Sequence, residues 1–315
     1  MNSKIKPKMI WSKVGLICKP SSEQNWWASH AMAPTAFLYD SQTIRVFIGC
    51  WDNHGISRIG FLDLNASNPS DVIKKSVSPV VDIGKDGCFD DNGVFPGHVY
   101  SHDGIVYLYY TGFQKLFNIP FTNFCGLALS RDGGNTFEKV SEVPIMDRAE
   151  EGLFTRAGTS IIYESGLFHA FYSVGSSWYQ IAGKERPIYQ INYQTSADGI
   201  NFKKVGALAI ECDLKVEHGL GRPQIIKIKK KYFLFYTRRT IDFRYRIGVA
   251  ESYDLNTWKR IDSWLDPIEH GNISEFDSQM VYFPCVLEVN DKLYLFYSGN
   301  GYGKDGLGYA VLHLS

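Results

Sequence analysis

The sequence lacks any surplus of charge: 33 Lys and Arg balance 33 Asp and Glu, for a formal net charge of +0. No Lys/Arg stripe is present, and the densest basic run, Lys227 to Lys231, reads as a solvated β-turn. Nucleic-acid binding needs a dense cationic footprint to neutralise phosphates, so that class is excluded. No apolar run approaches the ~20 residues of a membrane span, and the opening Met1 to Lys8 is followed by no stretch suited to an export signal. The six cysteines show no CxxC pairing. Scattered cysteines without an export signal read as reduced thiols, which makes the cytoplasm the expected address. His/Cys pairs at zinc spacing are missing. So is a strand-to-helix phosphate loop, since Gly299 to Gly303 lies in a β-turn context. Neither metal nor cofactor is expected.

Aromatic residues are abundant, 15% of 315 residues. Most are expected to pack between strands, although an exposed ring also offers a flat face to a sugar. Apolar runs ending in a small or polar residue recur: Arg45 to Gly49, Tyr107 to Thr111, His169 to Ser173, Leu234 to Thr237 and Leu295 to Ser298. Their equivalent positions, Ile48, Tyr110, Tyr172, Tyr236 and Tyr297, step by 62, 62, 64 and 61 residues. Each run follows a strand entered through Pro or Gly (Pro34, Pro96, Gly158, Pro223, Pro284). Each precedes a third strand at Arg58, Cys125, Gln190, Arg246 or Leu307. A fourth strand follows Asp-containing turns at Ser130 to Phe137, Ser196 to Phe202 and Ser252 to Trp258. There Asp and Gly build a tight turn and the aromatic docks between sheets, so Asp132, Asp198 and Asp254 are read as structural.

Four strands repeated radially five times predict an all-β fold, a five-bladed β-propeller spanning residues 1–315 as one domain, with little helix. The fifth unit ends at Ser315 without its fourth strand. Trp11 to Val14 mirrors Phe137 to Val140, Phe202 to Val205 and Trp258 to Ile261. The N-terminal strand is therefore expected to complete the last blade and remove an open edge.

In such a ring the segments entering the first strands gather at one mouth. They bring Trp27, His30, Asp90, Asp91, Arg156, Glu217, His218, Arg222, Glu275 and Asp277 together. Carboxylates accept sugar hydroxyls and move protons, while arginines bind anionic groups bidentately. A carbohydrate or sugar-nucleotide substrate in the central funnel is the expected partner.

The repeat, the run Trp26…His30…Pro34, the segment Phe89 to Gly97, the Asp turns and Gly299 to Gly303 resemble the five-bladed glycosidase superfamily, which includes glycoside hydrolase families 32, 43 and 130. Uncharacterised bacterial propellers linked to surface-polysaccharide biosynthesis are the nearest resemblance. The resemblance implies cleavage of a glycosidic bond by paired carboxylates, spaced roughly 5 Å for retention or 6.5–9.5 Å for inversion. On that reading Glu217 is the general acid and Asp90 or Asp91 the base or charge stabiliser. Trp27 stacks on the sugar, and Arg156 and Arg222 hold an anionic substituent. His30, His218, Glu275 and Asp277 complete the rim. The chain departs from families 32 and 43 at two places. The first blade reads His30-Ala-Met-Ala-Pro-Thr with no Asp, and Arg156 is followed by Ala157-Gly158. A transferase or phosphorylase, with Arg156, Arg222 and His30 meeting phosphate, and a non-catalytic glycan-binding propeller are the alternatives.

Overall fold

A computed structural model describes residues 9–21, 24–264 and 275–314; the opening segment Met1 to Lys8, read above for an export signal, lies outside them. The fold is all-β, with helix among the described residues limited to short turns at 262–264 and 300–303. Strand β1 (Met9–Cys18) comes first in the chain. Unit one follows as β2 (His30–Asp40), β3 (Thr43–Trp51), β4 (Ser57–Asn65) and β5 (Asn68–Lys75). Unit two is β6 (Val94–His102), β7 (Ile105–Lys115), β8 (Phe121–Ser130) and β9 (Glu138–Lys139). Unit three is β10 (Thr155–Glu164), β11 (Leu167–Ile181), β12 (Lys184–Ser196) and β13 (Ala207–Ile210). Unit four is β14 (Glu217–Ile228), β15 (Lys231–Thr240), β16 (Arg246–Ser252) and β17 (Lys259–Arg260). Unit five is β18 (Tyr282–Val289), β19 (Lys292–Ser298) and β20 (Leu307–Leu314). β1 pairs antiparallel with β20, so the first strand of the chain supplies the fourth strand of unit five.

The apolar runs are the second strands, and they are buried because they face neighbouring strands on both sides: Val46, Phe47 and Ile48, or Leu295, Phe296 and Tyr297, are almost fully covered. The aromatic after each Asp turn docks on the preceding unit, Phe137 against Phe47 at 5.4 Å and Trp258 against Phe171 at 5.2 Å, both edge-on. Trp11 of β1 meets Phe235 in the same way at 6.2 Å. Each such pair adds about 0.5–1.5 kcal/mol beyond its buried area. The Asp turns are structural as read: Asp132 accepts from the Ser130 hydroxyl and from the amides of Asn135 and Thr136.

The first strands pack in sequence, β2 on β6, β6 on β10, β10 on β14, β14 on β18, and β18 back on β2. A hydroxyl handover accompanies this. The residue closing four of the apolar runs accepts a backbone N–H from the next unit's first strand: Gly158 to Thr111, Arg222 to Ser173, Phe283 to Thr237, and Ala33 to Ser298. The four donors sit at β-bulges in the left-handed region, with φ of 64°, 46°, 54° and 55°. A bulge turns an amide out of its own ladder and frees it for a neighbour.

Candidate functional site

One arrangement recurs in four units, with the carboxylate before the first strand in three of them and after the last strand in unit four. In unit two the Tyr110 hydroxyl and the Lys139 ammonium both donate to Asp90, at 3.0 and 2.6 Å. In unit five the Tyr297 hydroxyl and Lys13 donate to Asp277, at 2.9 and 2.7 Å. In unit three Tyr172 and Arg156 donate to Glu151, and in unit four Tyr236 and Arg260 donate to Asp262. The tyrosines are the repeat markers of the sequence. Glycine on the third strand makes room for the ring: a Cβ on Gly126 would lie 2.3 Å from Tyr110, and one on Gly248 2.3 Å from Tyr236. A tyrosine, a carboxylate and a cation thus clasp each of these units.

These contacts change the reading of several expected site residues. Asp90 and Asp277 are each 1% exposed and belong to clasps. Glu217 is fully buried; Arg260 donates to both of its oxygens at 2.6 and 3.1 Å, Arg238 at 2.8 Å, and the Asp213 amide at 3.0 Å. Burial works to raise its pKa, but the hydrogen bonds from Arg260, Arg238 and the Asp213 amide outweigh it and hold the carboxyl below its ordinary range. A carboxylate so held has no proton to give, which is a poor setting for a general acid. Arg156 spends its donors on Glu151 and on the carbonyls of Asp147 and Lys203. Trp27 is 3% exposed inside a core cluster with Ala31, Ile48 and Leu62, so it shows no face to a sugar.

Arg222 is a pin through the middle of the molecule. From unit four its guanidinium donates to the carbonyls of Ala33 and Pro34 and the hydroxyl of Thr35 in unit one, to Pro96 in unit two and to Pro284 in unit five. Burial lowers its pKa to about 10.

What the fold does gather is a cluster around His218. β15 runs antiparallel to β14, which places Arg239 beside Gly219, at the end of the unit where the first strand enters. The Arg239 guanidinium lies 4.7 Å from the Tyr189 ring centre and 5.5 Å from that of Tyr245. Arg186, on the extended β11–β12 hairpin, lies 4.9 Å from the Phe243 ring. His218 sits between, its ring 6.2 Å from Phe243 and 6.0 Å from Tyr245. Neither arginine has an ion-pair partner among the described residues. The Nε atoms of both, the His218 Nε2 and the Tyr282 hydroxyl are buried without a hydrogen-bond partner. Burial, then Arg239 and Arg186, pull the His218 pKa down to about 4. The His218 Nδ1 lies 3.3 Å from the Pro187 carbonyl. A cavity beside this cluster is lined by Asn123, Thr155, Tyr189, Arg222, Arg239 and Phe283 among others, and by no carboxylate. Guanidinium and phenol groups with unspent donors are the chemistry of an oxyanion site, and the Nε2 of His218, whose Nδ1 faces a carbonyl, adds an acceptor for a hydroxyl on that anion.

Of the remaining expected residues, His30 stacks on Trp51 at 4.0 Å and its Nδ1 meets the Ser29 hydroxyl at 2.9 Å. Burial and then Lys304 lower its pKa. Asp91 is half-buried; its Oδ2 accepts from the Gly87 amide and the Gln114 side chain, and its Oδ1 is buried without a partner. Glu275 is exposed at the start of unit five. Among the described residues no group of three or more His, Cys, Asp or Glu is placed to hold a metal ion, and no helix is long and apolar enough to cross a membrane. Of the cluster, the sequence reading named His218 and missed Arg186 and Arg239. The available signal was Arg238-Arg239 directly after Thr237, at the strand end that faces the mouth.

The family model of beta-1,4-mannooligosaccharide phosphorylases, glycoside hydrolase family 130, matches residues 159–305. An uncharacterized protein of Mycobacterium tuberculosis (strain H37Rv) is 28% identical over 306 residues, 96% of this chain and 99% of that one. The 1,2-beta-oligomannan phosphorylase of Thermoanaerobacter sp. (strain X514) is 32% identical over 138 residues, 41% of this chain and 45% of the enzyme. A solved structure from the GH130 family of mannoside phosphorylases, described as containing glycoside hydrolases that target beta-1,2 mannosidic linkages in Candida mannan, superposes with a TM-score of 0.71. It is 16% identical, over 99% of this chain and 95% of that one. The chain therefore has the fold of these glycoside hydrolases.

Proposed function

We propose that this protein is a carbohydrate-active enzyme of phosphorylase type, built as a closed five-bladed ring whose funnel holds a sugar beside inorganic phosphate. The ring reading is supported by the cyclic packing of the first strands, by the handover from Ser298 to Ala33, and by Arg222 reaching three other units. The phosphate reading rests on one observation: around His218, Arg239 and Arg186 have buried Nε atoms without a hydrogen bond and no carboxylate partner among the described residues, and Arg239 lines a cavity free of carboxylates. Hydrolysis needs two carboxyl groups facing one bond. Phosphorolysis needs an oxyanion site and a single acid.

In the proposed step a phosphate oxygen attacks the anomeric carbon. The glycosidic C–O bond breaks, its electron pair passing to the leaving oxygen, which takes a proton. The products are a sugar 1-phosphate and a saccharide one unit shorter. Arg239 and Arg186 hold the phosphate charge, His218 accepts from a phosphate hydroxyl through Nε2, and Asp91, with its free Oδ1, is the proposed proton source. The partial likeness to a 1,2-beta-oligomannan phosphorylase makes mannose-containing oligosaccharides the first substrates to try.

The test is incubation of the purified protein with 1,2-beta-oligomannan, with and without inorganic phosphate, while following sugar 1-phosphate. Release of mannose 1-phosphate only with phosphate, lost in Arg239→Met and Asp91→Asn, is expected. Release of free sugar at equal rates without phosphate would remove the reading. The lack of carboxylates in the cavity also favours a non-catalytic glycan-binding role; saccharide binding without turnover in both conditions is its signature.

A further inference from the structure

The β7–β8 and β11–β12 hairpins differ from their counterparts. β11 and β12 run 15 and 13 residues, against 9 and 9 for β3 and β4, and continue past a bulge between Val174 and Ser177. Their turn, Ala182-Gly183, has φ of 49° and 73°, as a tight two-residue hairpin requires. Along this extension Trp178 pairs with Pro187 and Tyr179 with Arg186. Successive side chains on a strand point to opposite faces. One face therefore carries Arg186 toward Phe243, and the other turns Trp178 toward unit two.

On that second face the rings form a continuous row. Phe113 lies 5.3 Å from Phe121, Phe121 5.6 Å from Trp178, Trp178 4.9 Å from Phe154, and Phe154 6.1 Å from Tyr189, which lines the cavity beside Arg239. Phe113, Phe121 and Trp178 are each half-buried and keep a ring face open, whereas Phe154 and Tyr189 are buried behind them. Polar atoms lie along the same path: the Trp178 Nε1, the Asn123 Oδ1 and the Thr155 Oγ1 are buried without a hydrogen-bond partner. Core packing does not call for a donor and two acceptors left unspent beside a line of rings. A saccharide chain does, since its C–H faces stack on aromatic rings and its hydroxyls supply both donors and acceptors.

We infer that the half-buried rings Phe113, Phe121 and Trp178 form a binding track for successive sugar units, joined to the cavity through the buried Phe154 and Tyr189 behind them, so that the substrate is an oligosaccharide chain whose cleaved end lies at Arg239. The inference rests on the proposed function for which end of the track holds the scissile bond. It does not need phosphate for the track itself. The occupant is a glycan and not a second copy of the chain, because the orphan Asn123 and Thr155 oxygens beside these rings belong to residues that also line the cavity at the proposed cleavage site.

The experiment measures binding of 1,2-beta-oligomannan fractions of two, four and six units, together with equivalent series of glucose and galactose oligomers, to the full-length protein by calorimetry. The variants are Trp178→Leu and Phe121→Leu, which keep apolar bulk while removing the ring face, with thermal unfolding as the fold check. In the wild type, affinity in at least one series is expected to rise about tenfold from two units to four. Both variants are expected to lose that gain while binding the two-unit sugar unchanged. Affinity independent of length, a length gain that survives both substitutions, or no binding in any series would overturn the track. So would self-association abolished by either substitution. Length-dependent binding without any sugar 1-phosphate would sink the phosphorylase reading and leave the track standing; phosphorolysis with no length dependence would do the reverse.

Discussion

Lys13 donates a 2.7 Å hydrogen bond to Asp277, 264 positions further along the chain. Lys139 makes the same bond to Asp90 across 49 positions. One clasp serves a unit continuous in sequence, and the other serves the unit assembled from both ends of the chain.

Lys13→Met is therefore expected to destabilise the protein by about 2 kcal/mol, because buried Asp277 keeps its Tyr297 bond but loses its cation. Denaturant unfolding measures it. If the pairing of β1 with β20 matters as the clasp indicates, a chain starting at residue 19 will unfold at markedly lower denaturant than the full chain.

Glu217→Gln separates a structural role from a catalytic one. Two arginines converge on this fully buried carboxylate, and removing one partner of a buried ion pair costs about 3–5 kcal/mol. A large fall in Tm is expected. A stable variant that had lost turnover alone would restore Glu217 to the active site.

Arg239→Met should behave in the opposite way. This guanidinium has no ion-pair partner and a buried Nε without a hydrogen bond, a cost carried by the folded state. Replacing it with an apolar side chain of similar length is expected to raise Tm while abolishing phosphate binding by calorimetry. A lowered Tm with phosphate binding intact contradicts the proposed site.

Acid should unfold the protein early. The buried histidines His98 and His218 have pKa values brought down from 6.5 to about 3 and about 4, chiefly by burial and then by neighbouring arginines. The unfolded chain takes up protons that the folded chain refuses. Stability from these groups is full above about 6.5 and drains away as pH falls toward 4. Tm measured from pH 7.5 to 4 is expected to drop, with a shallower slope in His218→Gln. Bound phosphate opposes this fall, since an anion beside His218 favours its protonated form.

The repeat was legible because strand order follows local pattern. Tyr110, Tyr172, Tyr236 and Tyr297 stand at nearly constant spacing, and Trp11 to Val14 carries the fourth-strand signature out of place. That this short motif would complete the last unit followed from the repeat, while its Trp11 docking on Phe235 is seen only in the structure. The candidate site was harder to read. Acids placed before strands look alike whether they face a funnel or a tyrosine hydroxyl, and Asp90 and Asp277 proved to face tyrosines. A clue lay in the repetition itself: a carboxylate present at the same place in several units serves the repeat, whereas Arg239 has no such series. Arg222 was legible as a mouth residue. The course of its side chain depends on a left-handed backbone just before Pro223, which no local composition announces.

Arg222 also bears on traffic through the proposed ring. With its guanidinium lodged among carbonyls of Pro34, Pro96 and Pro284, it would stopper the bore of that ring and make it a cup instead of a pipe. On the proposed function, a saccharide that enters over the rim would back out over the same rim, so a released fragment would compete with the next arrival.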